Sequence, residues 1–183
     1  MKQIILFLVF ILFFGCVDVK IKSEIPKRTY YDLDTRDINA RHCSRFKTIG
    51  IGNITAITSL NNKNIIRKKS NGEIEIYNDI QWVDHPKDMI QSMLIKQGYE
   101  KCLSFEKASM NKVHYFVSLE ILFLGFLDQN PSIEFAYKIS NERFQIVDMG
   151  IVKKIQDGGS IQDLQQISQD SINELLKLVE TKI

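Results

Sequence analysis

The sequence has no large excess of charge of either sign. Lysine and arginine together number 24, and aspartate and glutamate number 22, which gives a formal net charge of +2 at neutral pH. Proteins that bind nucleic acids usually carry a basic face, so we expect no nucleic acid among the partners. Hydrophobic residues at 44% and charged residues at 25% are typical of a domain that folds in water. They argue against disordered, collagen-like and polytopic membrane proteins.

Histidine is scarce, and its residues are scattered along the chain. Their spacing is not that of metal ligands, and no Cys-x-x-Cys motif occurs, so we expect no zinc or haem site and no other cofactor. The three histidines are His42, His85 and His114.

The apolar run at the N-terminus is too short for a permanent membrane anchor. It covers 11 residues, numbers 4–14, whereas a helix needs about 20 to cross the hydrocarbon core. Lys2 precedes the run and the small residue Gly15 follows it, a pattern typical of a secretory signal peptide. We therefore assign residues 1–15 to a leader.

A cysteine follows the leader directly. The stretch Leu12-Phe13-Phe14-Gly15-Cys16 resembles a lipobox, in which the cysteine thiol takes a diacylglycerol and the new N-terminus takes an acyl chain such as palmitate. Cys16 is the predicted lipidation site, and residues 16–28 would be the lipidated N-terminus and a tether. Several acyl chains, at about 0.8 kcal/mol per buried methylene, would hold the domain on a bilayer. The alternative is an ordinary secretory leader with an unmodified cysteine.

The other two cysteines, Cys43 and Cys102, are an even pair. An oxidising compartment would allow a disulfide between them, which the chain-entropy model values at about 4 kcal/mol for a loop of this size. Spacing alone cannot show proximity, so we favour two separate buried thiols slightly over the bridge.

The pattern of apolar and polar residues over 29–183 predicts one domain of the α/β (α+β) class. We expect a mixed, mainly antiparallel sheet, with a mid-chain helix and a long C-terminal helix packed on it. Strand patterns occur at residues 29–33, 48–57, 64–69, 73–77, 114–127, 132–140 and 143–153, and helix patterns at 86–97 and 160–183.

Some of these patterns predict finer details. The alternation of residues 48–57 changes phase near Gly52, which indicates a bulge. Asn71-Gly72 between two strand patterns predicts a β-hairpin. Residues 114–127 are apolar on both phases, which predicts a central strand buried on two faces, or a strand whose second face is covered by helices. Gly98 is the expected end of the mid-chain helix.

Nothing in the sequence forms a catalytic motif. Asp32, Asp34 and Asp37 lie close together, but no serine or histidine pattern accompanies them, and we expect a solvated loop rather than an active site. A periplasmic hydrolase would need a polar pocket that the motifs do not supply. The single tryptophan, Trp82, is expected to fill the core with its indole N–H hydrogen-bonded. We therefore expect no enzyme.

The order of these features resembles the ABC-type transport auxiliary lipoproteins, the PqiC-like family. In that family a Tyr-Tyr-x-Leu strand opens the domain, an Ile-x-Arg strand leads to a strand with a tyrosine, and a tryptophan precedes a helix. The resemblance covers most of the mature chain, and its second half matches in the order of strands and helix. The matching residues, which would be partner or core markers, are Tyr30, Tyr31, Leu33, Ile65, Arg67, Tyr77 and Trp82.

The resemblance implies a role in lipid transport without catalysis. Such a lipoprotein acts beside an ABC permease and ATPase and a mammalian-cell-entry (MCE) protein, which move lipids between the two membranes of the cell envelope. It also implies a homo-oligomer. Val17, directly after Cys16, is not the aspartate that retains lipoproteins at the inner membrane. This favours an anchor in the outer membrane, facing the periplasm. The alternative function is a structural envelope lipoprotein that serves an assembly or secretion machine as a protein-binding module.

Overall fold

A computed structural model describes residues 27–37, 42–107 and 113–183. The predicted signal peptide, the predicted lipidation site Cys16 and all of the predicted tether before Lys27 lie outside the described residues.

The described residues form eight strands, two α-helices and one short 3-10 helix. The 3-10 helix is Thr58–Leu60. The α-helices are α1 (Pro86–Glu100) and α2 (Ile161–Lys182). The strands are β1 (Thr29–Tyr31), β2 (Lys47–Ala56), β3 (Asn64–Lys68), β4 (Ile74–Trp82), β5 (Leu103–Lys107), β6 (Tyr115–Leu127), β7 (Asn130–Asn141) and β8 (Ile146–Ile155).

All eight strands belong to one mixed sheet with β6 at its centre. Along one edge, β6 pairs with β7, which pairs with β8, and both pairings are antiparallel. The other edge of β6 is shared. Its first half pairs with β2 and its last residues pair with β3, both in parallel. Beyond them lie β5 next to β2, and β4 and then β1 next to β3. The longest pairings are antiparallel, and the fold class is therefore the one expected from the sequence.

Both α-helices lie on one face of the sheet. Buried side chains of β6 and β7 that point to this face, including Val117, Ile121 and Phe135, meet those of the helices, including Met93 and Leu176. The opposite face has no helix from the described residues and stays partly open. No described helix is both long and apolar enough to cross a membrane.

Local sequence signals explain where the helices start. Pro86 occupies the first turn of α1, where its missing N–H costs nothing. Ser160 caps α2, because its hydroxyl accepts from the backbone N–H of Asp163 at 3.1 Å and the carboxylate of Asp163 accepts from the backbone N–H of Ser160 at 3.2 Å.

The segment after β1 lies across both helices. Leu33 is fully buried. The side chains of Gln165 and Gln169 in α2 donate to the backbone carbonyls of Asp32 at 2.5 Å and Leu33 at 3.3 Å. The buried α2 glutamines therefore hold the N-terminal part of the domain against the helix layer.

Three sequence predictions of local detail, at β2, at the β3–β4 hairpin and at the end of α1, have clear outcomes. The bulge in β2 is confirmed by a register shift between Ile51 and Ile54, and the hairpin at Asn71-Gly72 joins β3 to β4. The prediction that α1 ends at Gly98 is wrong. The helix continues through Gly98 to Glu100, and this position needs a small residue because an added Cβ would lie 2.6 Å from the ring of Phe105.

β6 is a central strand, as predicted, but the burial prediction is wrong, because its second face is partly exposed and carries no helix from the described residues. The phase that contains Val117 and Ile121 is buried under the helices, but Glu120 on the other phase is exposed. The second run of apolar residues reflects a bulge near residue 122, which exchanges the two faces along the strand.

Candidate partner-binding surface

Three of the predicted markers, Tyr30, Tyr31 and Trp82, lie together at the β1–β4 edge of the sheet. β1 pairs in parallel with the end of β4, which sets Tyr31 beside Trp82. Tyr31 packs partly against the core, whereas Tyr30 is 59% exposed. Trp82 is fully buried, as expected, but its indole N–H has no hydrogen-bond partner among the described residues, so that part of the expectation is wrong. Of these three residues, only Tyr30 offers a ring to a partner.

Arg67 and Tyr77 form the second group of markers. The antiparallel pairing of β3 and β4 brings them together, and the Arg67 guanidinium donates from Nη2 to the Tyr77 hydroxyl at 2.5 Å. The same guanidinium lies 5.0 Å from the centre of the Tyr77 ring. The rings of Tyr77 and Phe126 pack edge to face, with their centroids 5.7 Å apart. Residues that are far apart in sequence therefore make one packed polar and aromatic cluster.

A shallow recess opens beside this cluster. It has a volume of about 490 Å³ and is lined by Arg67 and by residues 75–79 of β4. Arg67 Nε is buried and has no acceptor among the described residues, although Nη1 lies 3.6 Å from Glu75. An unpaired buried donor costs free energy, and because Nε is itself buried, the recess does not present it to a partner.

Charged residues next to the recess neutralise one another. The Lys69 ammonium lies 2.6 Å from Glu75 and 3.2 Å from Glu73. These two hydrogen bonds raise the pKa of Lys69, and the bond from Lys69 holds the pKa of the Glu73 carboxyl below its usual value. The rim of the recess therefore carries little net charge, and a partner would be recognised by shape and hydrogen bonds more than by charge.

The loop before α1 brings together three possible metal ligands that the sequence analysis missed. Ligand atoms of Asp84, His85 and Asp88 lie within 4.8 Å of one another. The Lys63 ammonium lies 3.6 Å from Asp84 and donates to the Val83 carbonyl at 2.9 Å. The backbone N–H of His85 lowers the pKa of Asp84. Because a lysine already supplies the cation beside Asp84, this group fits an internal ion pair better than a metal site.

Cys43 and Cys102 form a disulfide in the structure, so the interpretation as two separate buried thiols is wrong. Their Cα atoms are 5.6 Å apart, and the bridge closes a sequence separation of 59 residues. It lies just before the β2–β5 pairing, where the backbone N–H of Lys47 donates to the carbonyl of Cys102 at 3.0 Å. The bridge therefore joins the entry of β2 to the turn between α1 and β5.

The three acidic residues near the N-terminus do not form one solvated loop as predicted. The Asp34 side chain is only 6% exposed and lies 3.3 Å from the ammonium of Lys96 in α1. Asp32 accepts from the backbone N–H of Asp34, and Asp37 is exposed. His114 is exposed and lies 3.2 Å from Glu142. The structure uses Asp34 to hold the N-terminal segment on the helix layer.

The open face of the sheet carries a stripe of exposed apolar side chains on β8. We call it the β8 stripe. The hairpin before it adds Phe144, which is 74% exposed and stacks on Phe116 at 5.1 Å. Sequence periodicity suggested a strand here but did not show which phase the helix would cover. The stripe consists of Ile146, Met149, Ile151 and Ile155.

Comparison with known proteins identifies the fold only. No family model matches the chain, and no curated protein matches it by sequence. A crystal structure of an uncharacterized protein has a TM-score of 0.65 at 8% identity and covers 84% of this chain and 96% of its own. Protein XCC0632 from Xanthomonas campestris, of family DUF330, has a TM-score of 0.62 at 12% identity and covers 83% and 92%. The hypothetical protein CT253 from Chlamydia trachomatis has a TM-score of 0.50 at 10% identity and covers 74% and 96%. The chain thus shares its fold, across most of its length, with proteins of very different sequence.

Proposed function

We propose that this chain is an exported lipoprotein, anchored through Cys16, that serves as the auxiliary component of an MCE/ABC-type lipid transport system. It binds its partners and performs no catalysis. Its folded domain faces the periplasm, and the anchor lies in the outer membrane. The observation that carries the proposal is the order of the marker residues, which begins with the lipobox and ends with a tryptophan before a helix. These residues lie on a fold that the DUF330 protein XCC0632 shares.

The Cys43–Cys102 disulfide supports export independently of the leader. Disulfides persist in the periplasm and outside the cell and are rare in a reducing cytosol. The leader predicts export from the first 15 residues, and the bridge agrees with it from the folded domain. Two separate parts of the chain therefore favour the same compartment.

The described surface supports binding rather than catalysis. The Asp34 carboxylate forms an ion pair with the Lys96 ammonium, and the His114 ring lies beside an exposed glutamate. The features that stay open are the recess beside Arg67 and the β8 stripe. An exposed apolar stripe is typical of surfaces that contact other proteins.

Co-purification tests the proposal. The full-length tagged protein is extracted from membranes in mild detergent, and the captured proteins are identified by mass spectrometry. We expect an MCE protein together with an ABC permease and ATPase. The matched control is Cys16→Ala, which detaches the domain from the membrane and leaves it folded. If the domain itself binds, the released variant still captures the MCE protein. This result would show that the two proteins do not co-purify only because they share a detergent micelle.

Two results would contradict the proposal. Capture of an assembly or secretion machine without a transporter would favour the structural envelope lipoprotein instead. Membrane retention of the Cys16→Ala variant would show that lipidation is not the anchor, whatever partner is captured.

A further inference from the structure

Strand β4 is covered along only part of its outer edge. β1 pairs in parallel with its last three residues, Ile80 to Trp82. Residues 74–79 of β4 have no strand on that side in the described part of the chain. The recess beside Arg67 lies along this stretch, because its other lining residues are numbers 75–79. β4 therefore has an uncovered edge next to a recess.

The hydrogen-bond pattern identifies the backbone groups at this edge. The backbone N–H of Lys69 donates to the carbonyl of Glu73 at 2.8 Å, which marks a hydrogen-bonded position of the β3–β4 hairpin. Bonding positions alternate in an antiparallel pair, so Glu75 turns its backbone groups toward β3. The backbone groups of Ile74 and Ile76 therefore point to the uncovered edge.

The chain itself leads to this edge. Because β1 and β4 are parallel, the residues that precede Thr29 run back along β4 toward Ile74. Their sequence has a period of two, which is typical of a strand with one buried face. The even positions are charged at Asp18, Lys20, Lys22 and Glu24, and the odd positions are apolar at Val17, Val19, Ile21 and Ile25.

The position of Pro26 suits an edge strand. The backbone N–H of Val83 donates to the carbonyl of Tyr31 at 2.9 Å, so Tyr31 turns its backbone groups toward β4. In an extended chain Ile25 is on the same phase as Tyr31, and Pro26 is on the opposite phase. The missing N–H of Pro26 then points away from β4, as it does in natural edge strands. The residue before a proline also favours an extended backbone, which suits Ile25.

We propose that residues 23–28 continue β1 along β4 as a parallel edge strand, with Ile25 opposite Glu75. The N–H of Ile25 donates to the carbonyl of Ile74, and the carbonyl of Ile25 accepts from the N–H of Ile76. The Ile25 side chain fills the recess beside Tyr77. Pro26 lies opposite Ile76, which is 50% exposed without it.

The register agrees with the shape of β4. Continuing the pairing of Thr29 with Ile80 sets Arg28 opposite Asp79. Between this pair and the pair of Ile25 with Glu75, β4 has one residue more than the added strand. β4 is already irregular here, because its pairing with β3 shifts register between residues 76 and 81. A bulge in β4 accommodates both neighbours.

Charge favours the same register. Arg28 and Asp79 are both exposed, and neither forms an ion pair within residues 27–37, 42–107 and 113–183. Opposite charges directly across a strand pair are favourable. The Glu75 carboxylate already lies 2.6 Å from the Lys69 ammonium, so the apolar Ile25 does not face an unpaired charge.

Docking of this segment sets the reach of the anchor. With Glu24 beside Ile74, the chain leaves the domain at the β3–β4 hairpin, and the stretch from Cys16 to Glu24 spans at most about 26 Å. An undocked chain from Cys16 to Thr29 would span about 43 Å. This consequence rests on lipidation of Cys16, whereas the docking does not.

Paired cysteines test the register in the full-length protein in detergent. Pro26→Cys with Ile76→Cys, and Glu24→Cys with Ile74→Cys, should each form an intramolecular disulfide on mild oxidation, read by mass spectrometry of linked peptides. Opposite Cα atoms on neighbouring strands lie about 4.8 Å apart, within the span of a disulfide. The exchanged pairs, Pro26→Cys with Ile74→Cys and Glu24→Cys with Ile76→Cys, are out of reach and should stay reduced. Equal yields in matched and exchanged pairs, or no disulfide in either matched pair, would overturn the proposal.

Hydrogen exchange gives a second test without cysteines. Ile25→Pro removes the N–H that faces β4 and should abolish the protection of the Ile76 amide. Glu24→Pro is the matched control, because the N–H of Glu24 points away from β4, and it should retain that protection. Equal exchange of the Ile76 amide in the two variants would count against the docked strand. Neither test depends on the transport role.

Discussion

Removing the Cys43–Cys102 bridge should lower the free energy of unfolding by about 4 kcal/mol. The bridge closes a sequence separation of 59 residues, and the chain-entropy model assigns a loop of that length about 4 kcal/mol at 25 °C. Domains of this size have a total stability of about 5 to 15 kcal/mol. The double variant Cys43→Ala with Cys102→Ala should therefore lose a large part of its stability and still fold.

The loss should also be local. β5 pairs with β2 and with no other described strand, and the bridge holds the first residues of that pairing in register. Without it, amide hydrogen exchange should rise first in β5 and stay low in β6 and β7, which lie in the middle of the sheet.

Denaturant titration of the oxidised protein, the reduced protein and the double variant measures this effect. We expect the reduced protein to resemble the variant, since both lack the same cross-link. If the free energy of unfolding of the double variant lies within about 1 kcal/mol of that of the oxidised protein, the reasoning is refuted. The closed loop would then not reduce the conformational entropy of the unfolded chain. Equal exchange in β5 before and after reduction would refute its local part.

Four further predictions follow from single sites. Gly125→Ala sets a methyl group against a backbone carbonyl of β3 and should cost about 1 to 3 kcal/mol in denaturant titration. Ser160→Ala removes the cap of α2 and should cost about 1 kcal/mol by the same measurement. Tyr77→Phe removes the acceptor of Arg67 and should cost about 1.5 kcal/mol. The pKa of Asp84 is lowered in the folded state, so its stabilising effect is present above the usual carboxyl pKa and is lost as the pH falls through the lower folded value, which an NMR titration of the carboxyl would follow.

Neighbouring positions provide controls for these variants. Gly159→Ala should change stability little, because the nearest atom to the added methyl group is a carbonyl oxygen at 3.5 Å. Asn78→Ala changes an exposed residue beside Tyr77 and should have little effect. Equal losses in a variant and its control would contradict the proposed contact.

The sequence predicted the elements whose signals are local. Asn71-Gly72 defined the hairpin, and Pro86 and Ser160 defined the helix starts, because each acts on its immediate neighbours. It missed β5, a strand of five residues. A short strand is stabilised by its neighbour β2 and by the disulfide, neither of which has a signature within the strand itself.

Parts of the candidate surface depend on distant contacts and could not be predicted. The resemblance singled out Arg67 and Tyr77, but only the pairing of β3 with β4 shows that they bond to each other. Asp34 looked solvated because its partner, Lys96, is on a helix far along the chain. The periodicity of β8 indicated a strand, and its exposed phase became clear only when α2 was seen to cover the opposite face.

Direct binding between the purified protein and the MCE protein of the same organism tests the central claim most directly. The full-length lipoprotein in detergent is titrated into the MCE protein, and complex formation is followed by light scattering and calorimetry. The account predicts a defined complex with a dissociation constant of about 1 µM or tighter, a binding free energy near −8 kcal/mol. No complex at concentrations well above that value, with both proteins folded, would contradict the transport role.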